Sequence, residues 1–391
     1  MDVPATSRAP AGWSPQRAIA TYFPAMVDFC QAVQPVIRAI EARLDRDEIR
    51  GLDTSCLRQA LREFRWRLEY TFDIAGAQAN LERIQSLALS PVLPCATTRD
   101  EAGSYGICTE VWFLKLDASV DYLLASDFKG KPPCFLDPVN DPDRLGRYLE
   151  SLLISRVAAE GIDNRKELNL STANLVRLIL WRRPANYRWD PRLEAVIRRF
   201  VGNWQDPATG FFGATYEIGG QRFRTTDLSL TFHMARYLDG RISYWPKLID
   251  TLFEIRDGRY PNGWLDDEGL TNHNNYDVAT LFKFGWDQMR GEQRQRASAE
   301  LDRLLDWCLK TTVAPDGAVV ARAKSESLTE GYYFTVSFLD TVGYFDPAKR
   351  FWTDRAFPEA PTLRSRLERH IRRLHPNDPM ARMALDRLAS H

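Results

Sequence analysis

Chemistry-bearing side chains are densest between Trp264 and Asp277, in the run Trp-Leu-Asp-Asp-Glu-Gly-Leu-Thr-Asn-His-Asn-Asn-Tyr-Asp. The acids Asp266, Asp267 and Glu268, the amides Asn272, Asn274 and Asn275, and His273 and Tyr276 all stand directly ahead of an apolar stretch. This mixture suits a sugar. Amides and phenols hydrogen-bond hydroxyls and an indole stacks on a sugar ring. A carboxyl raised by an aromatic wall can protonate a leaving oxygen while a second carboxylate activates water. Asp227, Asp266, Asp267, Asp277 and Glu330 are therefore assigned acid and base roles, with His273 as base, proton relay or ligand. Arg224, Trp264, Asn272, Asn274, Asn275, Tyr276 and Tyr332 form the expected substrate-binding set, and Arg322 is a second arginine suited to a carboxylate.

Several of these residues also fit a purely structural role. Asn274 with Asp277, and Ser327 with Glu330, have the three-residue offset of a helix capping box. Asp227 follows Thr225 and Thr226 and sits where a first-turn acid complements the helix dipole. His233, inside an apolar segment, reads as a core histidine. From Asp266 to Asp277 the oxygen groups are spaced somewhat like a calcium loop, but Thr271 holds the place that needs glycine and Leu270 interrupts the ligand pairs. No metal or other cofactor is expected, and a divalent cation at that loop is the weaker alternative. There is no His-Glu-x-x-His, phosphate loop, dinucleotide glycine pattern or Gly-x-Ser-x-Gly.

The elements that must position these groups recur. Gly161, Gly210, Gly263 and Gly317 lie about fifty residues apart, with Gly106 a poorer match upstream, and a period of that size implies one helical hairpin per repeat. In each unit an amphipathic segment, such as 191–204, 245–255 or 301–309, runs into a glycine turn. A polar stretch and an almost unbroken apolar helix follow, as in 228–238, 278–286 and 332–345. Amphipathic helices need one apolar neighbour and helices apolar all round need several, so the pattern predicts outer and inner layers. The predicted fold is all-α, an α/α toroid of five to six hairpins. A sixth hairpin is expected in 54–88, where Leu57, Leu61, Phe64, Leu68 and Phe72 keep helical spacing. In such a ring the inner-helix starts converge at one end. They bring together Glu110, Asp163, Asn164, Asn169, Arg224, Asp227, 266–277 and 326–333.

Lysine plus arginine and aspartate plus glutamate each number 52, so no global field draws nucleic acid or an anionic membrane. A small molecule or oligosaccharide is the expected partner. No apolar run approaches the ~18 residues of a membrane span, and no signal peptide is evident, which suggests a cytoplasmic enzyme. The 6 cysteines match no zinc or redox spacing and are expected to be buried thiols. The expected organisation is a disordered tail over 1–15, a helical segment over 16–100 belonging to the same domain, the toroid over 101–350, and a basic helical tail over 351–391. Arg364, Arg366, Arg369, Arg372, Arg373, Arg382 and Arg387 of that tail read as a solvated face, or alternatively as a dock for an acidic partner. The proline-rich stretch 129–143 reads as a long loop.

The motif Asp206-Pro-Ala-Thr-Gly-Phe-Phe-Gly213 followed by Thr225-Thr-Asp-Leu-Ser-Leu-Thr-Phe232 resembles the hairpin repeats of two toroid superfamilies. These are the six-hairpin glycosidases with the toroidal polysaccharide lyases, and the terpenoid cyclases with the protein prenyltransferases. The resemblance is architectural and spans roughly 106–345. The Asn272-His-Asn-Asn-Tyr276 run is similar in content to the lyase set that neutralises a uronate and moves its proton. Gln205 to Gly213 is similar to the turn repeat of triterpene cyclases. Trp264-Leu-Asp-Asp267 departs from the cyclases' Asp-x-Asp-Asp by a tryptophan in first place, and no cysteine accompanies the histidines as a prenyltransferase zinc would need. The resemblance thus implies glycosidic-bond cleavage by hydrolysis or elimination, with isoprenoid chemistry or a non-catalytic binding toroid as the alternatives.

Overall fold

The computed structural model describes residues 6–9, 20–89, 109–124, 133–181, 187–323, 326–374 and 378–389. Gly106, Cys95, Cys108, most of the proline-rich start and 129–132 lie outside them. The longer helices are α1 (Pro24–Ile49), α2 (Ser55–Trp66), α3 (Ile74–Leu89), α4 (Trp112–Leu123), α5 (Pro142–Ser151), α6 (Arg165–Val176) and α7 (Leu193–Trp204). They continue with α8 (Leu228–Tyr237), α9 (Trp245–Glu254), α10 (Asn272–Gly285), α11 (Gly291–Trp307), α12 (Leu328–Thr341), α13 (Ala360–Ile371) and α14 (Pro379–Ala389). By contacts the chain forms two units. The first is Met1–Ile40, Thr54–Gln205 and Phe212–Thr225; the second is Glu41–Asp53, Asp206–Phe211 and Thr226–His391.

In the second unit the layering follows from side-chain type. α10 buries Asn274, Asn275, Asp277, Val278, Leu281 and Phe282, which point in all directions around its axis, so it needs neighbours on every side. It has them: α8 on one flank, α12 on the other, α9 and α11 behind. α9 buries Trp245, Leu248, Ile249, Leu252 and Phe253, a single stripe with the spacing of one helix face. Burying each such side chain favours the fold by about 1.5–3 kcal/mol over leaving it in water. The inner row runs α8, α10, α12, α14. α14 lies against α12 and α13, and Leu367, Ile371, Leu374, Ala381, Ala384 and Leu388 belong to the same apolar core as Trp245 and Phe282. Ala360–Ile371 and Pro379–Ala389 thus pair as a further hairpin of the unit, within the stretch expected as a basic helical tail.

Two glycine turns show why the repeat keeps glycine. Gly210 has φ +74° and a Cβ there would stand 2.6 Å from the backbone nitrogen of Leu248 on α9; Gly317 has φ +91° and a Cβ would stand 2.6 Å from the Arg366 side chain on α13. Each turn seats on the outer helix of the next hairpin at a distance that no side chain permits.

The first unit departs from an all-α fold. β1 (Thr6–Arg8), β2 (Ile154–Ser155), β3 (Thr215–Ile218) and β4 (Gln221–Arg224) form a sheet in the order β1-β4-β3-β2. β3 and β4 pair antiparallel across Gly219 and Gly220, with φ of +58° and +77°, the backbone a tight hairpin requires. β1 pairs parallel with β4 and β2 with β3, so Thr6–Arg8 is a strand inside the stretch read as a disordered tail. The 129–143 loop contains a 3-10 helix over Cys134–Val139. The hairpin expected in 54–88 is present as α2 and α3. Among the described cysteines Cys308 is buried and free, Cys134 is exposed and free, and Cys56 is disulfide-bonded, which corrects the uniform reading as buried thiols. No helix among the described residues is long and apolar enough to cross a membrane.

Candidate functional site

Three inner helices of the second unit begin side by side, and their caps separate structural from chemical carboxyls. α8 is capped by Asp227, whose Oδ1 accepts the Leu230 amide at 3.0 Å, and the residue is fully buried. α12 is capped by a complete box: Ser327 Oγ accepts the Glu330 amide at 3.1 Å and a Glu330 carboxylate oxygen accepts the Ser327 amide at 2.8 Å. Both acids therefore do the work of helix termini. α10 differs. Its cap is Thr271, which accepts the Asn274 amide at 3.2 Å, so the Asn274 and Asp277 pairing is not a capping box and Asp277 lies a turn and more inside the helix.

Asp277 is completely buried. The Tyr260 hydroxyl donates to its Oδ2 at 3.2 Å, while Oδ1 has no hydrogen-bond partner. Burial pushes its pKa well above the usual carboxylate range, and nearby Asp227 and Glu326 add to the rise against the opposing pull of Tyr260 and Arg236. The tyrosine is held over the carboxyl by the preceding glycine turn: the Tyr260 amide donates to the Leu265 carbonyl at 2.7 Å, and the Pro261 carbonyl accepts the Leu228 amide at the start of α8 at 2.7 Å.

Beside this pair stands a second raised acid. Glu326 is 6% exposed, and its pKa is pushed up to about 8 by burial, with the Glu330 and Asp266 charges adding to it. One of its oxygens accepts the Ala323 amide at 3.3 Å; the other lies 3.6 Å from His273 Nδ1, beyond hydrogen-bond range. The half-buried His273 ring stacks on Phe334 at 4.1 Å and lies 5.5 Å from the Tyr260 ring.

Deeper along α8, α10 and α12 is a cluster of cations and phenols. Arg387 of α14 donates to the Tyr276 hydroxyl at 3.0 Å and to Asp340 at 3.1 Å. Arg236 of α8 is half-buried, donates to the Tyr333 hydroxyl at 3.4 Å, and lies over the Phe232, Tyr237 and Tyr276 rings at 5.7, 5.3 and 5.5 Å. Burial pushes both phenols up, but the two guanidiniums outweigh it at Tyr333 and bring it down to about 8, while Tyr276 beside it stays raised.

The structure gathers only part of the expected site. Asp277 and His273 meet around Tyr260, with Glu326 against His273, Asp266 near enough to raise Glu326, and Tyr276 in the neighbouring cluster with Arg387. Asp267 is exposed and paired with Arg259. The amide of Asn272 donates to Thr312 and Thr335 at 2.9 and 2.8 Å, and that of Asn274 to the Trp264 carbonyl at 2.9 Å, so both amide groups brace the fold. Asn275 is buried with its amide nitrogen unpaired. Trp264, 1% exposed and edge-on to Phe282, packs the core instead of offering a sugar a stacking face. Tyr332 is buried against His370 and its hydroxyl accepts the Val319 amide at 3.4 Å. Arg224 lies on β4 of the first unit and donates to the Trp204 carbonyl; Arg322 donates to Asp45 and to the Glu326 carbonyl. His233 stacks on Tyr237 at 5.6 Å.

Arg236, Arg387 and Tyr260 were not singled out from sequence as site residues. Arg387 stood among arginines read as a solvated face, and its apolar neighbours Ala384 and Leu388 were the signal that its helix packs inward. Among the described residues no group of three or more histidine, cysteine or acidic side chains is arranged to hold a metal. Comparison with protein-family models, curated proteins and solved structures finds no match.

Proposed function

We propose that the hairpins close into an α/α toroid and that the chain is a carbohydrate-active enzyme, cleaving a glycosidic bond at the end of the barrel where α8, α10 and α12 begin. Asp277 carries the reading. A buried carboxyl whose pKa burial pushes well above the usual carboxylate range, with one oxygen unpaired, is shifted toward the protonated form that a general acid needs. In this scheme Asp277 gives its proton to the leaving oxygen, Tyr260 holds the carboxyl in orientation, and His273 accepts the proton taken from water or from the sugar ring. The buried surroundings raise the carboxyl's pKa and so favour its protonated form.

A second reading, an isoprenoid enzyme, draws on the rings around the same acid. A carboxyl raised by burial beside Tyr260, whose ring neighbours His273 and, through it, Phe334, also suits protonation of an alkene, and the burial of Trp264 removes the indole platform a sugar would use.

Thermal-shift screening against oligosaccharides, uronates and isoprenoid diphosphates, with Asp277→Asn and His273→Ala in parallel, tests both. A rise in midpoint confined to sugars and lost in both variants is the expected result. Stabilisation by a diphosphate alone would favour the second reading, and no stabilisation by any of them would sink the enzymatic assignment at this site.

A further inference from the structure

The arginines of the second unit's inner helices are matched unequally with acids. Arg387 is neutralised by Asp340 at 3.1 Å, a carboxylate it shares with Lys349 at 2.8 Å. Arg236, among the described residues, has no carboxylate within ion-pairing distance. Its one hydrogen bond is the 3.4 Å contact to Tyr333, which uses a single donor of the five that a guanidinium carries. Its guanidinium carbon lies 5.7, 5.3 and 5.5 Å from the Phe232, Tyr237 and Tyr276 ring centroids, and cation–ring contacts use none of its hydrogen-bond donors. The residue as a whole keeps partial exposure. A half-buried cation in this condition lacks a counter-ion, and leaving it so is costly.

The acid nearest in influence does not supply one. Arg236 favours the ionised form of Asp277 but burial opposes it more strongly, and its Oδ1 is unpaired and completely buried. Arg387 and Lys349 both pair with Asp340, whereas Arg236, over the same Tyr276 ring as Arg387, does not. Arg224 and Arg322, the arginines that sequence spacing suggested for a carboxylate, are occupied by protein carbonyls and by Asp45.

We propose that Arg236, backed by Tyr333, is an anion-recognition point, and that the ligand reaching Asp277 carries a carboxylate or phosphate group which completes the guanidinium's ion pair. Resting on the acid–base reading above, this narrows the substrate class to acidic molecules, of which a uronate is the carbohydrate case. Arg236 binds and orients; Asp277 remains the proton donor.

Calorimetric titration of the full chain with galacturonate, galactose and inorganic pyrophosphate tests it, using Arg236→Gln and Arg236→Lys beside the wild type. Galacturonate should bind about tenfold or more tightly than galactose. Arg236→Gln should abolish that difference, and Arg236→Lys, which keeps charge but not the fork, should restore only part of it. If Arg236→Gln does not fold, a loss of about tenfold in Arg236→Lys with an unchanged circular dichroism spectrum serves the same purpose. Equal binding of galactose and galacturonate, insensitive to Arg236 but lost in Asp277→Asn, would overturn the anion site and leave the carbohydrate reading standing. Arg236-dependent binding of pyrophosphate with neither sugar bound would uphold the anion site and overturn the carbohydrate reading. Absence of anion binding altogether would overturn the inference.

Discussion

Asp163 in the first unit and Asp277 in the second are the same chemical problem solved in opposite ways. Both are buried carboxyls at or near the start of a buried helix, and burial pushes both pKa values up. Asp163 is surrounded by donors: Ser155 at 3.2 Å, the Tyr216 hydroxyl at 3.1 Å and the Arg165 amide at 2.9 Å. Asp277 has Tyr260 alone and one bare oxygen. The first unit repeats its solution at Asp117, where burial works to raise the carboxyl but Arg62 and the Asn174 amide hold it below its ordinary value. Buried polar groups are normally satisfied because an unmet one costs about 1–3 kcal/mol. Among the described residues, Asp163 and Asp117 of the first unit follow that rule, while the second unit leaves an oxygen of Asp277 and one of Glu326 unpaired.

The largest test of this contrast is Asp163→Ala. It strips an acceptor from Ser155, Tyr216 and the α6 backbone together, and should lower stability by about 3 kcal/mol or more in urea unfolding. A loss below about 1 kcal/mol would remove the distinction between the two carboxyls.

Next comes Glu326. Its folded pKa of about 8 lies above the ~4.3 of an unfolded glutamate, so the folded state holds a proton that the unfolded state has released. Its contribution is most favourable below about pH 4.3 and is lost as pH rises toward 8, at up to about 1.4 kcal/mol per pH unit. Glu330 and Asp266 oppose its ionisation, Arg322 favours it, and His273 faces its free oxygen. Glu326→Gln should therefore match the wild type at pH 4 and exceed it by about 3–4 kcal/mol at pH 7, read from denaturant midpoints at both pH values. An identical pH profile in wild type and variant would show that Glu326 ionises normally.

Ser327→Ala removes half of the α12 capping box and should cost about 1 kcal/mol at any pH between 5 and 8, as thermal unfolding would report. The smallest stability effect belongs to Asp277→Asn. The amide oxygen still accepts from Tyr260 and no charge is lost, so the change measured at pH 4 should stay within about 0.5 kcal/mol while ligand binding disappears. A loss comparable to that of Asp163→Ala would assign Asp277 to the scaffold.

Helix order and burial were legible because they rest on local spacing. The stripe of Trp245, Leu248, Ile249 and Leu252, and the all-round apolarity after Asn275, each speak for themselves in the linear chain. The Ser327 and Glu330 box was legible for the same reason. The identical offset between Asn274 and Asp277 misleads, because Thr271 takes the cap first and carries Asp277 into the helix. The small sheet escaped notice because Thr6–Arg8 and Ile154–Ser155 find their partners on the Thr215–Arg224 hairpin, and such short strands carry no periodicity of their own.

Sequence alone determined the hairpin repeat, the inner and outer character of its helices, and the concentration of polar groups at one set of helix starts, since all of these follow from periodicity and turn chemistry within a few residues. Tertiary structure alone decided which carboxyl caps a helix and which is buried with an unpaired oxygen, and which arginine lacks a counter-ion. A pKa and a salt bridge depend on burial and on atoms a few ångströms away, and those atoms come from Tyr260, Arg236, Glu326 and Arg387, far apart in the chain and adjacent only once it has folded.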